Sequence, residues 1–223
     1  MTRVSVLFPT TGRPDRAESC LRRLRETAVG HELEVIAAVD ADPETAQRIE
    51  GLVDVLVVSP EYRGCSAGWN ACLAESSGDP VIFAADDLIW GEGWLDAALA
   101  GLEQLDGGWG LVGFNDGHWD GNELATHYLM SRRFIVEVLG GVVAWDFYEH
   151  SFNDVEVNER AKRAGRFHWA ADAHVGHEHW THGDRPKDAT DSRTLDRHAE
   201  SERRYRERHA AGFPTDYPPV ITE

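Results

Sequence analysis

Apolar positions along the chain fall alternately into short continuous runs and into runs spaced by three or four. Val4, Val6, Leu7 and Phe8 make a β-rich run that closes at Pro9. After the polar turn Thr10-Thr11-Gly12-Arg13-Pro14 a helical pattern starts near Asp15, with Ala17, Leu21, Leu24 and Ala28 on one face. Residues 33–39 read as a strand buried on both faces that ends at Asp40-Ala41-Asp42, and Pro43 opens the next helix. Residues 53–58 predict a third strand, followed by a glycine-containing loop over 61–68 and a helix over 69–76. Residues 80–84 predict a fourth strand that runs directly into Asp86-Asp87. A helix over 94–105 and a fifth strand over 110–114 follow, and regularity fades from Asn115 to Leu129. A helix over 153–164 and a histidine-rich stretch complete the pattern, with no internal repeat.

Strand and helix alternating at this spacing predict an α/β domain with a mostly parallel, Rossmann-like central sheet flanked by helices. Ligands of such sheets bind outside the carboxyl ends of the strands. The loops at that edge carry Thr10-Thr11-Gly12-Arg13, Asp40 with Asp42, and Asp86 with Asp87.

At 223 residues, 42% of them hydrophobic, the chain suffices for one good-sized core and is short for two. No apolar run approaches the roughly 20 residues of a membrane span, so a cytoplasmic protein is the expectation. Cys20, Cys65 and Cys72 form no metal or disulfide spacing and read as small buried hydrophobes. The net charge is −17, and residues 32–183 hold 8 basic against 27 acidic residues, which argues against a phosphate-tracking nucleic-acid surface. The acids serve solubility, or some of them hold a divalent cation.

Two adjacent carboxylates at the end of a buried strand repel each other unless a cation or proton lies between them, so Asp86-Asp87 points to a hard metal, with an Asp-rich turn as the plain alternative. His174, His177, His179 and His182 fall within nine positions, dense for core packing, yet without the spacing of a helical zinc motif or a zinc finger. Asp154 stands at the start of a helix, where an acid caps the first turn or, entering a cleft, serves as a general base. Glu156 and Glu149 are the reserve bases. The loop at Gly64 lacks the P-loop pattern, the first strand lacks Gly-x-Gly-x-x-Gly, and no Gly-x-Ser-x-Gly elbow occurs.

Assembled in this order, the residues resemble the family 2 glycosyltransferases of the GT-A fold, from about Val4 to His179. The pieces are Pro9 to Arg13, Asp40 and Asp42, Arg63-Gly64 with Gly68-Trp69-Asn70, Asp86-Asp87, Gly93-Trp94-Leu95, Asn153-Asp154 and His177. The resemblance implies a single GT-A-type domain over 1–182, with a nucleotide-sugar half over 1–90 and an acceptor and catalytic half over 91–182. A charged tail over 183–223 is expected to be helical and packed on the domain, with residues 197–208 as a solvated helix.

By position in the family, Pro9, Thr11, Arg13, Asp40, Asp42, Arg63, Gly64 and Asp86 would bind the nucleotide sugar. Asp86, Asp87 and His177 would hold Mn²⁺ or Mg²⁺, with Asp86 ahead of Asp87. Asp154 would be the catalytic base, and Asp116, His118 and Trp119 would meet the acceptor. Ala84 stands where the family's Asp-x-Asp motif has its first acid. The implied reaction is inverting transfer of a sugar from a nucleotide-diphospho-sugar to a hydroxyl of a glycan or small molecule. A modified DNA base is the alternative acceptor, and nothing in the chain sets an oligomeric state. From other classes stand a catalytically silent nucleotide-sugar-binding module, a sugar-1-phosphate nucleotidyltransferase and a zinc hydrolase built on the histidines.

Overall fold

Val4, Val6 and Phe8 pack on one side of the first strand and Leu7 on the other, which is why that strand reads as a continuous apolar run. The computed structural model describes residues 2–119, 124–148, 151–195 and 197–222. Glu149 lies outside the described residues. The strands are β1 Arg3–Thr10, β2 Glu32–Asp40, β3 Val55–Ser59, β4 Val81–Phe83, β5 Leu88–Trp90, β6 Leu111–Asn115, β7 Tyr128–Met130 and β8 Phe167–His177. They form one sheet in the order β3-β2-β1-β4-β7-β6-β8-β5. β1 pairs in parallel with β2 and β4, β2 with β3, and β6 with β8. β7 runs antiparallel to its neighbours β4 and β6, and β5 to β8. The sheet crosses the boundary at residue 90, so the two expected halves share one framework.

The helices are α1 Pro14–Thr27, α2 Pro43–Ile49, α3 Cys65–Glu75, α4 Trp94–Glu103, α5 Arg132–Glu137, α6 Asn153–Arg163, α7 Ala189–Leu195 and α8 His198–Ala210. α1, α2 and α4 cover one face of the sheet through Leu21, Leu24, Ile49, Trp94 and Leu95. α3, α5 and α6 cover the other through Trp69, Leu73, Phe134, Val157 and Ala161. Because β1 to β4 run in the same direction, their carboxyl ends open onto one edge, which is where the site lies.

The helix expected over 69–76 begins four residues earlier, at Cys65. Gly64, at φ 89°, ends the preceding loop in a conformation that side chains disfavour, and the chain turns into the helix directly after it. β5, β7 and α5 were not anticipated: two three-residue strands are too short to show a period, and α5 is a single capped turn and a half, with the Ser131 hydroxyl accepting from Phe134 N. The histidine-rich stretch begins at the end of β8, where Ala173 and Val175 face the core and His174 faces outward, and continues through His179 into a short 3-10 turn over Trp180–His182. α8 is not simply solvated. Its outer face carries the pairs Arg204–Glu200 and Arg206–Glu202, whereas Ser201, Tyr205 and Arg208 turn inward. Cys20, Cys65 and Cys72 are free thiols. Among the described residues no helix is long and apolar enough to cross a membrane.

Candidate active site

A cleft of about 470 Å³ opens at the carboxyl edge of the sheet. Pro9, Thr11, Arg13, Asp40, Gly64 and Asp86, all expected at a nucleotide, line it. Asp87 and His177, Asp154, and Trp119 line it too, so the cleft joins the three groups of residues set apart by chemistry. Trp119 keeps 39% of its surface exposed, with His182 edge-to-face against its ring at 6.3 Å between centres.

The two acids at and just after the end of β2 bind backbone amides. Asp40 at the end of β2 accepts from Arg63 N at 2.7 Å and Gly64 N at 3.0 Å, and from the Arg63 guanidinium at 3.1 Å. Arg63 is thereby turned toward Asp40 and does not line the cleft. Asp42, also expected at the nucleotide, is not among the residues that line the cleft. Its carboxylate caps α2 through Thr45 N at 3.0 Å and fixes the turn after β1 through Gly12 N at 2.6 Å, so it braces two loops outside the cleft.

Asp86 and Asp87 have different surroundings. Asp86 accepts from Thr10 Oγ1 at 2.7 Å and from Arg13 at 2.9 Å. Burial pushes its pKa up, Arg13 pulls it down, and the neighbouring Asp87 charge helps the rise prevail. Asp87 Oδ1 faces His177 Nε2 at 3.4 Å, with Arg185 3.6 Å and Arg13 3.7 Å from its other oxygen. Burial opposes ionisation of Asp87, but the His177 hydrogen bond and nearby positive charge hold its pKa well below the usual range. His177 is raised in return, the contact with Asp87 outweighing burial. Among the described residues no three of His, Cys, Asp and Glu gather to hold a metal by themselves, so the structure does not join Asp86, Asp87 and His177 as one ligand set. Asp87 Oδ1 and His177 Nε2 face each other at 3.4 Å, an ion-pair separation that is also close to the roughly 3 Å between cis ligands of an octahedral cation.

Ala84, directly after β4, is fully buried in the core, and its carbonyl accepts from Trp69 Nε1 at 2.8 Å. An acid there would be buried in the core rather than exposed to the cleft, whose walls near this point are Phe83, Ala85 and Asp86.

Asp154 lies in the first turn of α6, half-buried. Burial pushes its pKa up to about 6, against the pull of the Val155 amide. Two residues expected at the acceptor, Asp116 and His118, are not among those that line the cleft. Asp116 is buried, and its carboxylate receives His118 N at 2.9 Å, Trp119 N at 3.1 Å and Thr126 Oγ1 at 2.7 Å; it shapes the loop that carries Trp119. His118 stacks on His182 at 3.9 Å between ring centres and contacts Asp184 at 3.0 Å, outside the cleft lining.

Sequence reasoning missed the tail's part in the site. Arg13 is clamped by Asp188 at 2.8 Å and Asp191 at 2.7 Å, and Arg185 donates to Asp191 at 2.8 Å. The only signal was the near balance of charge over 184–209, eight basic against seven acidic residues. It also missed His127, buried beside His177 at 4.8 Å between rings; burial and the His177 charge lower its pKa to about 3, so it is a neutral imidazole.

Among curated proteins the chain has no significant sequence match. Its fold is similar to that of several solved structures. The mannosyltransferase PcManGT from Pyrobaculum calidifontis, in complex with GDP-Man and Mn²⁺, aligns over 96% of this chain and 72% of its own, at 17% identity and a TM-score of 0.64. Glucosyl-3-phosphoglycerate synthase from Mycobacterium tuberculosis, in complex with Mn²⁺, UDP and glucosyl-3-phosphoglycerate, aligns over 96% and 81% at 17% identity and a TM-score of 0.62. S. aureus TarS aligns over 78% of this chain but only 36% of its own, at 12% identity and a TM-score of 0.60. The likeness establishes the GT-A fold. The family model described as glycosyl transferase family 2 matches residues 5–160, from the first strand through most of α6, and on that match the chain belongs to glycosyl transferase family 2.

Proposed function

We propose that this member of the family is an inverting glycosyltransferase that moves a sugar from a nucleotide-diphospho-sugar to a hydroxyl group of a glycan or small molecule. The observation that carries the reading is the position of Asp154, which lines the same cleft as Asp86 and Asp87 and has a pKa of about 6, matched to a base that works near neutrality. Similar folds in complex with GDP-Man and Mn²⁺, and with Mn²⁺ and UDP, support a nucleotide-sugar donor and a divalent cation.

In the proposed mechanism Pro9, Thr11, Asp40 and Gly64 form the wall for the nucleoside, and Trp119 offers its face to the acceptor. Asp154 takes the proton of the acceptor hydroxyl. The oxygen forms a bond to the anomeric carbon while the bond from that carbon to the diphosphate breaks, its electron pair leaving on the diphosphate. Attack opposite the leaving group inverts the configuration. Arg13, half-buried at the cleft, commits its guanidinium to Asp86, Asp188 and Asp191 and so holds the loops that shape the diphosphate side. Mn²⁺ or Mg²⁺, held by Asp87 and His177, would supply neutralisation of the negative charge on the departing diphosphate when bound.

The test is a panel of UDP- and GDP-sugars with Mn²⁺ or chelator, scored first by thermal shift and then by nucleotide release with simple glycoside acceptors, the anomeric configuration of the product being read by NMR. The expected result is Mn²⁺-dependent stabilisation and a product of inverted configuration. A retained configuration contradicts the mechanism, and binding without any turnover across the panel favours the silent module.

A further inference from the structure

We propose that α8, in the C-terminal segment, positions Asp154, with Tyr205 and Arg208 as the positioning residues; the inference rests on the reading of Asp154 as the base. The residue entering α6 is Phe152, at φ 76° and ψ −3°. A bulky side chain in this left-handed region is rare and strained, and such residues persist where the surroundings hold them. The holding groups come from α8. The Phe152 ring stacks on Tyr205 with centroids 5.4 Å apart and planes at 26°, and it leans on His198 at 5.2 Å.

A second grip lies two residues beyond Asp154. Glu156 is fully buried, and its carboxylate receives both arms of Arg208, Nε at 2.9 Å and a terminal nitrogen at 2.9 Å. Arg160 from α6 itself and the Tyr148 hydroxyl complete its partners. Arg160 and Arg208 also share the Pro214 carbonyl, at 3.3 and 3.0 Å. A buried ion network contributes little net stability compared with an apolar cluster of the same volume, and what a two-armed pair does supply is fixed geometry.

The base therefore sits between two residues of its own helix turn, Phe152 and Glu156, that are both held by α8. On the opposite side Asn153 donates to Ser66 Oγ at 2.8 Å and accepts from Trp145 N at 2.7 Å, so α6 is anchored to the domain independently of α8. Loss of the α8 contacts is thus expected to tilt the first turn rather than to release the helix. A base displaced by 1 Å can cost about a hundredfold in rate, so even a fraction of that shift is measurable. α8 lies outside residues 5–160 matched by the family model.

The experiment compares Tyr205→Phe, Tyr205→Leu, Arg208→Lys and Asp154→Asn in the full chain, using UDP-glucose or GDP-mannose, whichever turns over. Measured for each are melting temperature, kcat, donor KM, and hydrogen exchange of the amides at 153–158. Tyr205→Leu and Arg208→Lys are expected to lower kcat roughly tenfold with donor KM within about twofold, and to speed exchange at 153–158, while Tyr205→Phe restores wild-type values. A wild-type kcat in both Tyr205→Leu and Arg208→Lys, measured below their melting temperatures, overturns the inference even if those temperatures fall. Should Arg208→Lys not fold, the Tyr205 pair alone decides, because its half-buried ring can be shortened without stranding a charge. If Asp154→Asn itself retains wild-type kcat, the reading of the base fails, and the positioning role with it. A slow Asp154→Asn beside fast α8 variants removes the positioning role alone.

Discussion

Arg13 reaches Asp86 across 2.9 Å, and this ion pair ties the turn after the first strand to the loop after the fourth. Thr10 takes the other oxygen of Asp86 at 2.7 Å. Both oxygens of that carboxylate are therefore engaged within the protein, whereas Asp87, one residue on, faces His177 across 3.4 Å. Two carboxylates adjacent in sequence thus have separate tasks, one locking loops and one facing an imidazole.

From that difference follows a ranking opposite to the one the sequence motif suggests. Asp87→Ala and His177→Ala are expected to weaken Mn²⁺-dependent binding of UDP or GDP by about tenfold or more, and Asp86→Ala to weaken it less while lowering the melting temperature. Titration calorimetry with and without Mn²⁺ measures both. His174→Ala serves as a control, since that side chain faces outward from β8.

The pH dependence of transfer follows from Asp154. Its pKa in the folded protein is about 6, above the ordinary 3.8, so the ionised, basic form predominates only above pH 6. The value of kcat/KM should rise about tenfold per unit below pH 6 and level off above it, as the rate follows the ionised fraction. An initial-rate profile between pH 4.5 and 8 reads this directly, and a flat profile through pH 6 removes Asp154 from the proton transfer.

Glu34 on β2 contributes to stability in acid. Burial raises its pKa, but the Ser5 hydroxyl at 2.6 Å, Ser77 N at 2.7 Å and further donors from Ser77 and Gly78 lower it to about 2. The folded value lies below the unfolded 4.5, so the stabilisation is complete above pH 4.5 and lost as the pH falls through 2. Glu34→Gln should melt lower than wild type at pH 7, and the difference should shrink steadily in melts taken toward pH 2.

The strands that build the carboxyl edge were legible because both of their faces are buried, and Val4 to Phe8 and Val35 to Val39 leave little doubt about their environment. Asp40, Asp86 and Asp154 were legible as acids at element boundaries. The use of each acid was not. Asp42 and Asp116 have the same short carboxylate after a strand, yet both are consumed by backbone amides, a distinction that depends on amide directions set only by the folded turns. Contacts between distant segments were hidden as well: Arg13 and Asp191 lie 178 residues apart in the chain and 2.7 Å apart in space. β5 was missed because only Leu88 and Trp90 are buried, with Ile89 half exposed, and three positions define no period.

The central claim is that Asp154 is the base, and Asp154→Asn tests it most directly. Asn keeps the shape of the side chain and removes a carboxylate that is ionised at a cost, since burial raises its pKa, so the variant should fold with undiminished stability at neutral pH. Its kcat for sugar transfer, measured at saturating donor with Mn²⁺, is predicted to fall at least about a hundredfold while nucleotide-sugar affinity stays near wild type. A kcat within a few fold of wild type in the folded variant would contradict the account.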